Sequence, residues 1–123
     1  VSDRDSVQVV LEFYEALRES RIKDMLELTD PTVVCQPLVR PGLTMYSGHD
    51  GIVRLDHDMH AVHGRYQVEF GTITEKDGEQ VTVEAVIVPE AGLGQPPLPV
   101  TTVYSVRDGL ITWIESLEDD RRT

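Results

Sequence analysis

At Gly64 the apolar pattern of this chain changes period. Ahead of Gly64, hydrophobic residues recur every three or four positions, as on one face of a helix. Beyond it they alternate, as on one face of a strand. A chain that is helical in its first half and alternating in its second has few compact solutions. The one this order favours is α+β, with the helices gathered on one face of an antiparallel sheet that curls around them.

Three helices are expected before the switch. Around Asp3 to Glu19 the residues Val7, Val10, Leu11, Tyr14 and Leu17 make an apolar stripe, with Phe13 on its shoulder. Tyr14 is the hydroxyl in that stripe, and a buried tyrosine normally finds a hydrogen-bond partner. A short helix over 22–28 follows, closed by Asp30-Pro31 because the residue before proline avoids helical geometry. The third helix lies between Tyr46 and Gly64 and carries every histidine in the protein, His49, His57, His60 and His63. Ser47 and Asp50 have capping-box spacing, and Gly64 is placed as a C-terminal stop. At about 100° per residue, Ile52, Leu55, Met59 and Val62 form the buried stripe. Asp56, His60 and His63 run along one edge of it. Asp56 and His60 are one turn apart, so they can touch, either as an acid–base pair or as a polar flank.

The strands are read from alternation. Thr32 to Gln36 is β-branched, with Val34 and Gln36 on one side and Val33 and Cys35 on the other. Cys35 reads as a small buried group. Residues 37–42 form a loop, and 44–46 a short strand. Strands over 66–74 and 80–88 are joined by a turn at Asp77-Gly78, and strands over 100–106 and 110–117 by Arg107-Asp108-Gly109. Proline and glycine make 89–99 a long loop at the rim of the sheet.

Bulk properties narrow the partners. The chain has 123 residues, which suits one domain with one core. A net charge of −11 argues against a nucleic acid or an anionic membrane surface as partner. One cysteine allows no internal disulfide, and no apolar run is long enough to span a bilayer. The expected setting is cytoplasmic, without cofactor or bound metal. Asp56, His60 and His63 span about 10 Å of helix rise, too much for one ion to take all three easily.

The order of these elements, with VQVVLEFYEAL, DPTVVCQP, YSGHDGI and VYSVRDGLITWIESLED, resembles the nuclear transport factor 2-like superfamily, which includes SnoaL-like cyclases and ketosteroid isomerases. The likeness spans nearly the whole chain. It implies a single domain over 1–123, a cone-shaped, cystatin-like roll with an apolar pocket between the curled sheet and the three helices. It also implies a homodimer packed through the outer sheet face, where Trp113 and Glu115 are expected. Carried over residue by residue, Tyr14 matches the tyrosine that donates to the oxyanion. Gln36 stands where the isomerases keep their proton-shuttling aspartate, and Thr102 stands where they keep a second acid. Both departures argue against steroid isomerisation.

The same carry-over places Val34, Gln36, Val81, Val83, Ala85, Thr102, Tyr104, Thr112, Ile114 and Ser116 toward the cavity, and Val103, Trp113 and Glu115 away from it. The resulting candidate site has Tyr14, His60 and Asp56 as catalytic groups. Gln36, Thr102, Tyr104 and Ser116 are its polar ligand contacts, and Leu55, Met59, Val83 and Ile114 its apolar ones. Two readings stand side by side. One is an enzyme of cyclase, isomerase, dehydratase or hydrolase type acting on a mostly apolar small molecule. The other is a non-catalytic ligand-binding or dimeric association module, which glutamine at position 36 favours.

Overall fold

The computed structural model describes residues 5–36 and 45–117. The expected loop over 37–42, Thr44 and the tail over 118–123 lie outside the described residues. The element order is α1 (Ser6–Arg18), α2 (Ile22–Glu27), β1 (Thr29–Gln36), β2 (Tyr46–Ser47), α3 (Gly48–His63), β3 (Gln67–Lys76), β4 (Gln80–Val88), β5 (Leu98–Arg107) and β6 (Leu110–Leu117). The six strands form one sheet in the order β2-β1-β6-β5-β4-β3. This is the expected α+β architecture, an unclosed sheet curled against the helices. One pairing departs from the antiparallel expectation, since β1 and β6 run parallel.

Local chemistry explains the helix ends. Asp5 caps α1 by accepting from the Gln8 amide at 2.8 Å. Ser6 is buried, and its hydroxyl ties the start of α1 to the Gly78 carbonyl in the β3–β4 turn. The capping box at α3 does not form. Ser47 makes no side-chain cap because it is paired with Val34 in β2, and the chain enters α3 through Gly48 at φ +70°. Asp30-Pro31 does not end α2 either. That helix stops at Glu27, and β1 already begins at Thr29, whose hydroxyl donates to the Met25 carbonyl at 3.0 Å.

The core is the concave side of the sheet against α1 and α3. Val9, Val10, Phe13, Ala16 and Leu17 of α1 are buried, so Phe13 is central, while Val7 and Leu11 are only partly covered. The buried face is wider than the predicted stripe because α1 is contacted by β3, β4, β5 and β6. Burying a side chain such as Phe13 contributes about 2–3 kcal/mol. On β4, Val81, Val83, Ala85 and Ile87 point inward as alternation requires.

Two shifts of register reset the inward faces. Between Val106↔Ile111 and Ser105↔Trp113 the strand β6 carries one extra residue, Thr112. Ile111 and Ile114 are therefore both buried and Thr112 is not, against the expectation that Thr112 faces the interior. On β3, two residues, Gly71 and Thr72, oppose Glu84 alone. A methyl at Gly71 would stand 3.1 Å from the Glu84 carbonyl oxygen, so glycine lets the strands stay close at this bend.

Candidate functional site

Because α1 crosses the concave face, Tyr14 meets the sheet edge-on to two aromatic rings. Its ring centroid lies 5.6 Å from that of Tyr104 and 5.2 Å from that of Phe70. The Tyr14 hydroxyl shares hydrogen bonds with the Tyr104 and Thr102 hydroxyls. Thr102 is in turn 3.3 Å from the Ser116 hydroxyl, its cross-strand partner. Four hydroxyls from α1, β5 and β6 are thus linked across the inner face. Burial pushes the Tyr14 phenol above its ordinary value, and the bonds from Tyr104 and Thr102 oppose that rise. Burial also raises Tyr104, so both remain neutral donors at physiological pH.

The wall beside Tyr14 is apolar and partly open. Phe70 pairs with buried Ala85 and shares its inward face, yet Phe70 is 44% exposed. Val83, Leu55 and Ile114 are buried, and Met59 is partly buried against the same core. Cys35 also lies on this side, where burial lifts its thiol to about 12 and keeps it an un-ionised packing group.

Asp56 and His60 do meet, but as part of a different structure. His60 Nδ1 lies 3.3 Å from Asp56 Oδ1 and 3.0 Å from the Asp56 carbonyl oxygen. His60 Nε2 lies 3.1 Å from the Arg18 carbonyl oxygen at the end of α1. The Ser20 hydroxyl donates to Asp56 Oδ1 at 3.1 Å. Both ring nitrogens are engaged by the protein itself, so the imidazole fastens the C-terminal end of α1 to α3. This arrangement does not aim it at Tyr14. Ser20 takes part because its backbone is left-handed, at φ +57°, and no sequence signal marked it.

Other predicted positions need correction. Val62, placed in the buried stripe, is 54% exposed. The last turn of α3 packs instead through His60 and His63, whose rings lie 5.0 and 6.1 Å from that of Tyr66. Gln36 does not face the interior. It pairs with Glu115 and Val34 pairs with Trp113, while Cys35 pairs with buried Ile114. Cross-strand partners share a face, so Val34 and Gln36 lie on the outer side with Trp113 and Glu115, and Val33 and Cys35 turn inward. On that outer side the Trp113 indole donates to Glu115 at 3.2 Å. Among the described residues, no three His, Cys, Asp or Glu side chains gather as a metal site would need. Among the described residues, no helix is long and apolar enough to cross a membrane.

Residues 10–114 match the SnoaL-like domain family. A search of curated proteins finds no match. Solved structures resemble the chain along most of its length. An NTF2-like protein of unknown function from Cytophaga hutchinsonii is 17% identical, with 98% of this chain and 95% of that one covered and a TM-score of 0.71. RV0760c from Mycobacterium tuberculosis, in complex with estradiol-17β-hemisuccinate, is 15% identical, with 96% of each chain covered and a TM-score of 0.77. TerC, co-crystallised with polyporic acid, is 22% identical, with 92% of this chain and 90% of that one covered and a TM-score of 0.75. At these identities the likeness is one of fold.

Proposed function

The chain belongs to the SnoaL-like family of the nuclear transport factor 2-like superfamily, and from that premise we propose that it binds a mostly apolar small molecule bearing an oxygen acceptor, held by Tyr14. The observation that carries this reading is the place of the Tyr14 hydroxyl, which burial keeps neutral beside the hydroxyls of Tyr104 and Thr102 on the inner face of the sheet. A phenol hydroxyl donates one bond and accepts others, so it can give its proton to a ligand oxygen while its neighbours bond to it. Linked hydroxyls polarise one another, which strengthens a bond given onward from the group. Phe70 packs on the Tyr14 ring, and Leu55, Met59 and Val83 belong to the same apolar core. Two proteins of this fold hold estradiol-17β-hemisuccinate and polyporic acid, which supports a ligand of that general kind here.

Binding without chemistry is favoured over catalysis. Cyclase, isomerase, dehydratase or hydrolase chemistry of the expected kind needs an acid–base group in reach of the ligand. His60 has both ring nitrogens turned to main-chain oxygens, and Gln36 lies on the other face of the sheet. Estradiol titrated into the protein is expected to bind and to be recovered unaltered. Tyr14→Phe is expected to weaken it about tenfold, the worth of one buried hydrogen bond. His60→Ala should keep the affinity but lower stability by about 1–2 kcal/mol, read as a fall in Tm. Unchanged estradiol affinity in Tyr14→Phe would remove this reading. Conversion of the ligand that disappears in His60→Ala would restore the catalytic one.

A homodimer through the outer sheet face is part of the same proposal. Val34 on β1 pairs with Trp113 on β6, and Val103 on β5, which pairs with Glu115, shares that face; all three are partly uncovered in the single chain. Apolar surface of this kind is a natural interface core. Trp113→Arg is expected to move the protein from dimer to monomer mass in light scattering. A mass that is the same in both proteins would count against the interface.

A further inference from the structure

Tyr66 holds an unused donor. Its side chain is 2% exposed, and its hydroxyl has no hydrogen-bond partner among the described residues. A buried polar group left unpaired costs about 1–3 kcal/mol, so such groups are rare unless something else satisfies them. The local backbone directs the ring inward. Gly64 ends α3 at φ +68°, and the Tyr66 amide donates back to the Gly64 carbonyl at 3.0 Å, which turns the chain into β3. His60 and His63 pack on the ring, and His60 is itself fixed to the ends of α1 and α3. The phenol is therefore rigidly placed and cannot swing out to water without losing these contacts.

Its surroundings point to a ligand oxygen. Tyr66 and Tyr14 belong to the same buried core, and burial first, then Asp56 and Tyr14, raise the Tyr66 phenol while Arg18 opposes them. Asp56 Oδ1 is already taken by Ser20 and His60. We propose that the Tyr66 hydroxyl is a second recognition point in the interior, donating to a carbonyl or hydroxyl oxygen at a different position on the ligand from the one Tyr14 holds. This rests on the binding role given to Tyr14. It makes the preferred ligand an apolar skeleton with two separated oxygens, and it makes Tyr66 the residue that tells such a ligand from its single-oxygen analogue. A site built to bond an oxygen discriminates strongly against a compound lacking it, because the donor is then left unpaired.

The test compares 2,6-dihydroxynaphthalene with 2-naphthol by calorimetric titration of the wild type, Tyr66→Phe and Tyr14→Phe. The wild type is expected to prefer the dihydroxy compound about tenfold. Tyr66→Phe should erase that preference and leave 2-naphthol affinity as it was, whereas Tyr14→Phe should weaken both compounds. The thermal stability of ligand-free Tyr66→Phe should stay the same or rise, since an unpaired buried hydroxyl has been removed. A preference kept in Tyr66→Phe, or absent from the wild type, overturns the proposal while leaving Tyr14 in place. A fall in the Tm of ligand-free Tyr66→Phe also overturns it, because the hydroxyl would then be serving the fold. If neither compound binds the wild type, both the pocket reading and this one fail.

Discussion

Ile111→Ala is expected to cost about 3 kcal/mol, near the middle of the range for a fully buried isoleucine cut to its first carbon. In a domain of this size that lowers Tm by about 12 °C. Thr112→Ala, one residue on, should cost less than about 1 kcal/mol. The asymmetry follows from the bulge in β6. Ile111 is 0% exposed, pairs with Val106 and donates its amide to the Leu28 carbonyl at 2.9 Å. Thr112 is the extra residue, partly exposed, with its hydroxyl 3.3 Å from the Ser105 carbonyl oxygen. Plain alternation back from Ile114 would put Thr112 inside and Ile111 outside, and so predicts the reverse order. Thermal melts of the two variants separate the alternatives, and a larger loss for Thr112→Ala would reject the bulge.

Gly51→Ala is the second change with a large expected effect, and its sign opposes helix propensity. Alanine in the interior of a helix is better than glycine by about 1 kcal/mol. Gly51, however, lies in the second turn of α3 with its back to β2. An added methyl would stand 2.7 Å from the Tyr46 carbonyl carbon and 3.0 Å from its Cα. These are backbone atoms, and Tyr46 is held by its pairing with Cys35, so the clash is relieved only by moving α3 off β2. Overpacking of this kind costs about 1–3 kcal/mol or more, and here the strand as well as the helix must shift. A net loss of about 2 kcal/mol is expected in chemical denaturation. His57→Ala on the exposed face of the same helix serves as the control, within about 0.5 kcal/mol of the wild type. Equal or greater stability in Gly51→Ala would show that α3 and β2 are not in contact there.

These two positions mark where sequence reading ends. The change of period at Gly64, the helical spacing of Val10, Tyr14 and Leu17, and the alternation of Val81, Val83, Ala85 and Ile87 are local. They depend on neighbours a few residues away and were readable without coordinates. So were the two Asp-Gly turns, because both glycines and the aspartates before them take the left-handed backbone that such turns require. That the buried hydroxyl of Tyr14 needs a hydrogen-bond partner is legible on the same local grounds. The resemblance places its partners Tyr104 and Thr102 inward, and both are buried on β5, which pairs with β4 without a shift of register.

What the chain could not reveal alone were consequences of distant pairing. The parallel contact of β1 with β6 joins residues far apart in the chain, such as Cys35 and Ile114, and it turns Cys35 inward and Gln36 outward. A single inserted residue at Thr112 turns Ile111 inward, against plain alternation back from Ile114, with no mark in composition. The same holds for the histidine on α3. Spacing correctly joined His60 to Asp56, but only the packing of α1 against α3 brings the Arg18 carbonyl to its other nitrogen. Local periodicity fixes which faces an element has, since that is set by bond geometry along the chain. Which face is buried, and which polar atoms are already satisfied, depends on elements far away in sequence, and only the folded arrangement decides it.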